Sequence, residues 1–571
     1  MILSPPLFLL PGVLFYKKIF LFFYQFKYKT YKKFTIYSKR INQYKNYRLY
    51  INMNLKNAYS SSFFLSFIIL FSAIVLVDGC KDKADNTYKL TGNALVDGKN
   101  LAQINCTKCH ELVPANALNK NVWKYHTLPA MSHYLGVSSY LDGYFKDQKD
   151  TAGLSLVEWQ TIVDYYEKLA PDTILPSKKP VSLINDWAGF TLKTPPPFPE
   201  LHKCFTTMAA LDTINHKIYT SDEKSDKLVE WDSDFKMREI STLPSPAVDA
   251  IFGKDAAGVN SAILTCIGEL PIMDFPNGKV LNVNLDAKDN NGSPTVIGDV
   301  LNRPVQTVQG DFNKDGLNDL VILGQGHLRG GVYLFTQNKD KTYTQTTITE
   351  QAGAVQAVAG DFNHDGWADL MVLFGSGNEG LWLFLNDHKG GFTSKNLLRF
   401  PPVYGSTSFQ IADIDHDGNP DLIYTCGYNF HDSRILKPYH GLYIFKNLGD
   451  WNFKQQFFYP INGCTKAIAA NFKGNGSLDI ATTAFFADMQ NEPGESFIYF
   501  EQVKPFVYTP HAIPISKYGH WMTMEVGDYN NDGKLDIILG NYSSGFMFQR
   551  GFKPFWGKNL PFVLLLNNFK K

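Results

Sequence analysis

The sequence predicts a multidomain chain in which a small all-α domain precedes an all-β domain closed as a seven-bladed propeller. Three observations carry this expectation. Residues 155–169 space apolar side chains at helical intervals behind a Ser155/Glu158 capping pair. A nine-residue loop rich in aspartate, asparagine and glycine recurs through the second half. A short aliphatic–aromatic run follows each loop, too short and continuous for an amphipathic helix.

At 571 residues the chain exceeds one ordinary core, and 55 Lys plus Arg nearly cancel 54 Asp plus Glu. That balance removes the whole-chain electrostatic case for nucleic acid as a partner. Residues 1–52 hold ten Lys and Arg, no Asp or Glu, and many Tyr and Phe. They read as an upstream extension outside the fold. Met53 opens a second pattern: Lys56, the apolar run from Phe63 to Val77, then Gly79-Cys80. Residues 53–80 resemble a bacterial lipoprotein signal, which implies Cys80 as the lipid-modified first residue of the mature chain. The run has the length of a signal core and is short for a bilayer span. An uncleaved membrane anchor is the alternative. Either way the chain is expected on the periplasmic or cell-surface side of a bacterial membrane.

Cys106-Thr107-Lys108-Cys109-His110 is a C-x-x-C-H haem attachment signature. Two thiols three positions apart reach the two vinyl groups of one haem, and the adjacent imidazole projects to the iron. A zinc site needs two further ligands at sensible spacing, and the sequence holds no second cysteine pair. A thioredoxin-like reading needs a βαβ context, which is missing. Upstream, Leu95, Gly98, Leu101 and Ala102 recur at helical intervals. Downstream, Leu156, Trp159, Ile162, Val163, Tyr166 and Leu169 share one helix face, and Ala170-Pro171 ends it. A glycine-bearing helix before the motif and an aromatic-rich final helix resemble class I cytochrome c. The resemblance implies an all-α domain over residues 88–171 and a loop methionine, Met131, as distal iron ligand to haem c. His126 and His133 compete for that role.

Pro171, Pro176, Pro180 and Pro195-Pro196-Pro197 mark residues 172–199 as a stiff linker. Beyond it, over residues 200–571, the loops begin at Asp311, Asp361, Asp413 and Asp528. Their first, third, fifth and ninth positions are Asp311, Asn313, Asp315 and Asp319; Asp361, Asn363, Asp365 and Asp369; Asp413, Asp415, Asp417 and Asp421; and Asp528, Asn530, Asp532 and Asp536. Oxygens at this spacing, with a glycine at the sixth position for the sharp turn, suit calcium. Plain Asx turns need no metal and are the bland alternative. A fifth copy is decayed, with Asn471, Lys473, Asn475 and Asp479 at those positions. Its lysine has no lone pair to donate, so this copy is expected empty.

Five strong strand runs start at Gly331, Gly380, Gly441, Phe497 and Phe562, and two weaker ones at Leu228 and Val280. The weaker pair follows decayed loops near Asp212 and Phe252. Seven units at roughly forty to sixty residues match propeller blades. The pattern resembles the FG-GAP/VCBS repeat family. Cys204, Cys266, Cys426 and Cys464 lie in this part without metal-site spacing, either as disulfides or as buried thiols.

The combination is read as an exported electron-transfer protein, with a calcium-stabilised propeller as binding or docking domain. Its partner is a redox protein or a small-molecule electron donor, and it meets the membrane through the lipid anchor or signal segment. A propeller-based sugar or alcohol dehydrogenase feeding the haem, and a surface adhesion module, are the alternatives. No catalytic residue is assigned, since no Ser-His-Asp set, phosphate loop or nucleotide fingerprint occurs in context.

Overall fold

The computed structural model describes residues 88–139, 145–147, 154–196, 203–255, 258–270, 274–287, 293–429, 435–544 and 552–570. The extension 1–52, the signal-like segment 53–80 and Cys80 lie outside them. Tyr88 to Lys571 form one compact unit. Among the described residues no helix is long and apolar enough to cross a membrane.

Helix α1 (Ala94–Cys106) starts at Asn93, whose side chain accepts from Leu95 N and Val96 N. Asp97 in its first turn accepts from Thr91 N at 2.9 Å and Gly92 N at 3.0 Å, tying down the incoming chain. A short helix, α2 (Leu128–Ser132), follows an irregular helical run, and α3 (Leu156–Leu169) carries the expected Ser155–Glu158 capping box. Helices α1 and α3 cross at Gly98. A Cβ there would lie 2.4 Å from Tyr165 Cβ and 2.6 Å from Thr161 O, so only glycine admits this approach. The face of α3 bearing Trp159, Ile162, Val163 and Tyr166 is buried with Leu101, Ala102, Trp123 and Leu128. Each such side chain contributes about 1.5–3 kcal/mol.

Two expectations for this region are corrected. The segment is not all-α, because Val137–Ser139 pairs antiparallel with Phe145–Asp147. Met131 sits in α2 rather than in a loop.

The rest is a seven-bladed β-propeller. Blades one to seven span residues 206–242, 247–301, 304–349, 354–399, 406–460, 466–512 and 521–567. Within each, consecutive strands pair antiparallel, and the first strands of neighbouring blades pack against one another around the axis. The aliphatic–aromatic runs are the third strands, and their inward faces are buried. The weaker runs at Leu228 and Val280 are the third strands of blades one and two.

Residues 172–199 are not merely a linker. Phe190–Lys193 pairs with Phe562–Asn567 as the outer strand of blade seven, closing the ring, and Ile184–Asn185 adds in parallel to blade six. The propeller therefore begins before residue 200. Proline density marked the stretch as extended, which a sheet edge also requires, and the pairing partner lies more than 300 residues away in sequence.

Side chains on the first strands link successive blades. Asp249 accepts from Thr307 N at 3.0 Å, Gln306 from Ala357 N at 2.7 Å and Gln356 from Phe409 N at 3.0 Å. Gln410 accepts from Ala469 N at 2.7 Å and Glu525 from Leu211 N at 2.8 Å. These acceptors satisfy backbone donors on strands that have no further ladder partner toward the axis.

Candidate functional sites

The C-x-x-C-H motif sits at the end of α1. Cys106 is its last residue, and Thr107 caps it, donating from Oγ1 to Gln103 O at 2.5 Å. Cys106 is half-buried, Cys109 exposed and His110 half-buried. Burial, and then the neighbouring Cys109, pushes the Cys106 thiol up to about 11. His110 Nδ1 lies 2.7 Å from Glu111 O. If Nδ1 donates that proton, Nε2 keeps its lone pair. Cys106 and Met131 pack against the same core, with Val113, Trp123 and Trp159. His126 and His133 are exposed. Tyr166 Oη donates to Val113 O at 2.9 Å and Trp123 Nε1 to Ala115 O at 2.8 Å, fixing the chain just after the motif.

The nine-residue loops join first and second strands. In blade three Asp311 accepts from Asp315 N at 3.2 Å and Gly316 N at 3.0 Å, and Asp315 accepts from Leu317 N at 2.8 Å. Blades four, five and seven repeat this geometry. The fourth position is left-handed throughout, at Lys314, His364, His416 and Asn531, which accounts for two of the scattered histidines.

The ninth-position aspartate has a role the sequence reading missed. Asp319 is fully buried; one oxygen accepts from Phe312 N at 3.1 Å and the other from Gln337 N at 2.8 Å. Asp369, Asp421 and Asp536 do the same with Phe362 and Asn386, Ile414 and Asn447, and Tyr529 and Asn567. Each carboxylate clamps its loop to the third strand, and burial pushes Asp421 and Asp536 up to about 6. The amides at those strand ends brace neighbouring blades: Asn386 Nδ2 donates to Phe312 O and Asn567 Nδ2 to Phe472 O, both at 2.8 Å. Their signal is an Asn or Gln closing each aliphatic–aromatic run, at varying distance from the loop.

Among the described residues, the acidic oxygens of one loop converge as a cation would need. Asp413, Asp415 and Asp421 each offer an oxygen within 4.8 Å of the others. Lys446 lies against Asp415 and 3.0 Å from Asp417. Asp311, Asp361 and Asp528 spend both oxygens on backbone N–H groups, although a carboxylate retains lone pairs for a metal.

The end of the propeller opposite these loops holds a buried polar cluster that no motif announced. Glu379 accepts from Gly405 N at 3.2 Å, Ser406 N at 3.0 Å and Ser406 Oγ at 2.8 Å. Burial pushes its carboxyl up to about 8 and the Lys437 ammonium down to about 8. Lys437 Nζ donates to Val403 O at 3.3 Å. This holds the connection between blades four and five, whose Val403 packs on the helical core. Tyr439 stacks on Tyr404 at 4.8 Å, and its Oη donates to Ala117 O at 3.1 Å.

Residues 311–372 and 371–424 match the FG-GAP-like repeat. No curated protein matches the chain significantly. A selenomethionine-substituted virginiamycin B lyase from Staphylococcus aureus is similar at 11% identity, covering 66% of this chain and 99% of that one, with a TM-score of 0.41. A streptogramin B lyase structure is similar at 12% identity, with 66% and 98% covered and a TM-score of 0.41. This chain carries FG-GAP-like repeats folded into a seven-bladed β-propeller.

Proposed function

We propose that the chain is an exported one-electron carrier, with haem c attached through Cys106, Cys109 and His110 and the propeller as its docking domain. The observation that carries this reading is the donor set at the end of α1. Two thiols, an imidazole with its Nδ1 engaged at a carbonyl, and a thioether in the same apolar core suit one haem and its two axial ligands. Haem bound there supplies one-electron exchange. The chain's own part is to hold and tune. The Nδ1 contact orients the His110 ring. Met131 would raise the potential of a bound haem relative to a second imidazole, and the buried Trp159 and Tyr166 would give it apolar surroundings. Met131 is partly buried against the core that Cys106 also meets, whereas His126 and His133 are exposed, and this supports the thioether.

The test is expression with a c-type haem maturation system, followed by haem staining on a denaturing gel. Covalent haem in the parent chain and none in Cys106→Ser/Cys109→Ser is the expected result. Met131→Ala should abolish the sulfur-to-iron band at the red end of the oxidised spectrum. A parent chain that stains for no haem under maturation overturns the reading.

The propeller's part in this proposal includes calcium at the loops starting at Asp311, Asp361, Asp413 and Asp528. Calorimetry with calcium should count close to four ions per chain. Asp315→Ala should remove one, and Asp479→Ala none. The lipid anchor at Cys80 belongs to the same proposal, and Cys80→Ser should release the protein from membranes.

A further inference from the structure

The five loops differ most in the positive charge already beside them. Blade six carries Lys473 where the others carry Asn313, Asn363, Asp415 and Asn530. Its side chain is 15% exposed, and Nζ lies 3.1 Å from Asp479 Oδ1 and 3.2 Å from Glu501 Oε1. Nζ also donates to Gln502 O at 3.2 Å. Asp479 stands at the ninth position, fully buried like its four counterparts, and accepts from Gln502 N at 2.7 Å, while the turn amide Phe472 N bonds Ala470 O. Glu501 stands just before the strand-end amide, where the other blades carry Thr336, Leu385, Lys446 and Leu566. Blade six thus combines two changes that answer one another: an ammonium introduced from the loop and a carboxylate introduced from the facing strand.

We propose that Lys473 supplies in blade six the positive charge that a divalent cation supplies in the other loops, so that this blade assembles without metal. The contrast with the other loops rests on their calcium reading. An ammonium has three donors, and here they meet two carboxylates and one carbonyl. A tethered charge cannot be chelated or diluted away. The network also continues toward the chain arriving from the helical segment. Glu501 Oε2 faces His511 Nε2 at 3.7 Å, and His511 Nδ1 contacts Asp186 Oδ1 at 2.8 Å. Asp186 follows the strand Ile184–Asn185, which pairs with this same blade.

Blade five is the intermediate case. Lys446 occupies the position of Glu501, and its ammonium already meets Asp415 and Asp417. Calcium must displace it, so this loop binds most weakly of the four despite having the most carboxylates.

The experiment uses the full chain and calcium alone as probe, with ion counts by calorimetry and melting in chelator. Asn471→Asp/Lys473→Asp/Asn475→Asp should add one calcium per chain. Lys473→Met should leave the count unchanged yet lower melting in chelator by about 2–4 °C, because it strands a buried carboxylate. Lys446→Met should tighten the weakest site by about tenfold. A triple variant that folds by circular dichroism but gains no ion, while the parent binds its own, overturns the inference. Unchanged melting of Lys473→Met overturns it too. A parent that binds no calcium sinks the calcium reading alone, and the role of Lys473 is then judged by that melting shift.

Discussion

At the loop end of the propeller, Asp319, Asp369, Asp421, Asp479 and Asp536 occupy one position five times over; four of them clamp a turn to a third strand, whereas Asp479 holds only the strand, at Gln502 N. At the opposite end, Glu379 and Lys437 hold the connection between blades four and five, one of the connections that meet the helical segment. The repeated end solves the same local problem wherever the loop is kept, so its residues need only their own loop and strand. The opposite end joins two different structures, and its buried carboxylate has a counterpart in blade six, where Glu495 accepts from Asn462 N and pairs with Lys179. In blade six, whose loop carries Lys473, the aspartate keeps its contact to the third strand while the turn amide Phe472 N bonds Ala470 O instead.

The strongest way to break this comparison is to remove a clamp. Asp319→Ala strips two buried backbone N–H groups of their acceptor and should cost about 3–5 kcal/mol in urea unfolding. Asp479→Ala removes the acceptor of one backbone N–H and one partner of Lys473, and should cost less, about 1–3 kcal/mol, while leaving the calcium count unchanged. A loss near zero in Asp479→Ala would reduce the clamp to a by-product of metal binding.

Withdrawing calcium comes next. Each occupied loop should contribute about 2.7 kcal/mol when free calcium is a hundredfold above its Kd, so chelator should lower the melting temperature. Identical melting with and without chelator would leave these turns as plain Asx turns.

The third test addresses the helical end through pH. Burial pushes the Glu379 carboxyl up to about 8 from 4.5, so folding takes up a proton between those values. Stability from this group is full below about pH 4.5 and is lost as pH rises through about 8. Lys437, pushed down to about 8, works with the opposite sign above that window. Glu379→Gln should flatten the decline in calcium-saturated protein between pH 5 and 8, read as the urea midpoint at each pH. A variant with the parent's full slope would place the titration elsewhere.

The smallest effect is expected from Tyr439→Phe. It removes the hydrogen bond to Ala117 O and should cost about 0.5–1.5 kcal/mol, with the propeller's calcium count unchanged.

The helices flanking Cys106 were legible because a capping box and a 3.6-residue period are local signals. The seven blades were legible because repetition lets one copy identify another, even where blades one and two have lost the loop. The acidic loop positions followed from the same alignment of copies. Gly98 read only as part of a helix, and the structure reveals it as the point where α1 and α3 touch. Met131 was placed by resemblance in a loop and lies in a short helix, packed against the core that Cys106 also meets.

By itself, then, the sequence determined what is short-range or periodic: the helix caps, the thiol and imidazole spacing, the loops and the number of blades. Only the tertiary structure decided which residues close the ring, since Phe190–Lys193 finds its partner at the other end of the propeller. It also decided that Lys473 meets Glu501 rather than solvent, and that Glu379 and Lys437 are buried. Those outcomes depend on groups brought together from distant positions, and the desolvation that gives a buried charge its energy exists only once they have met.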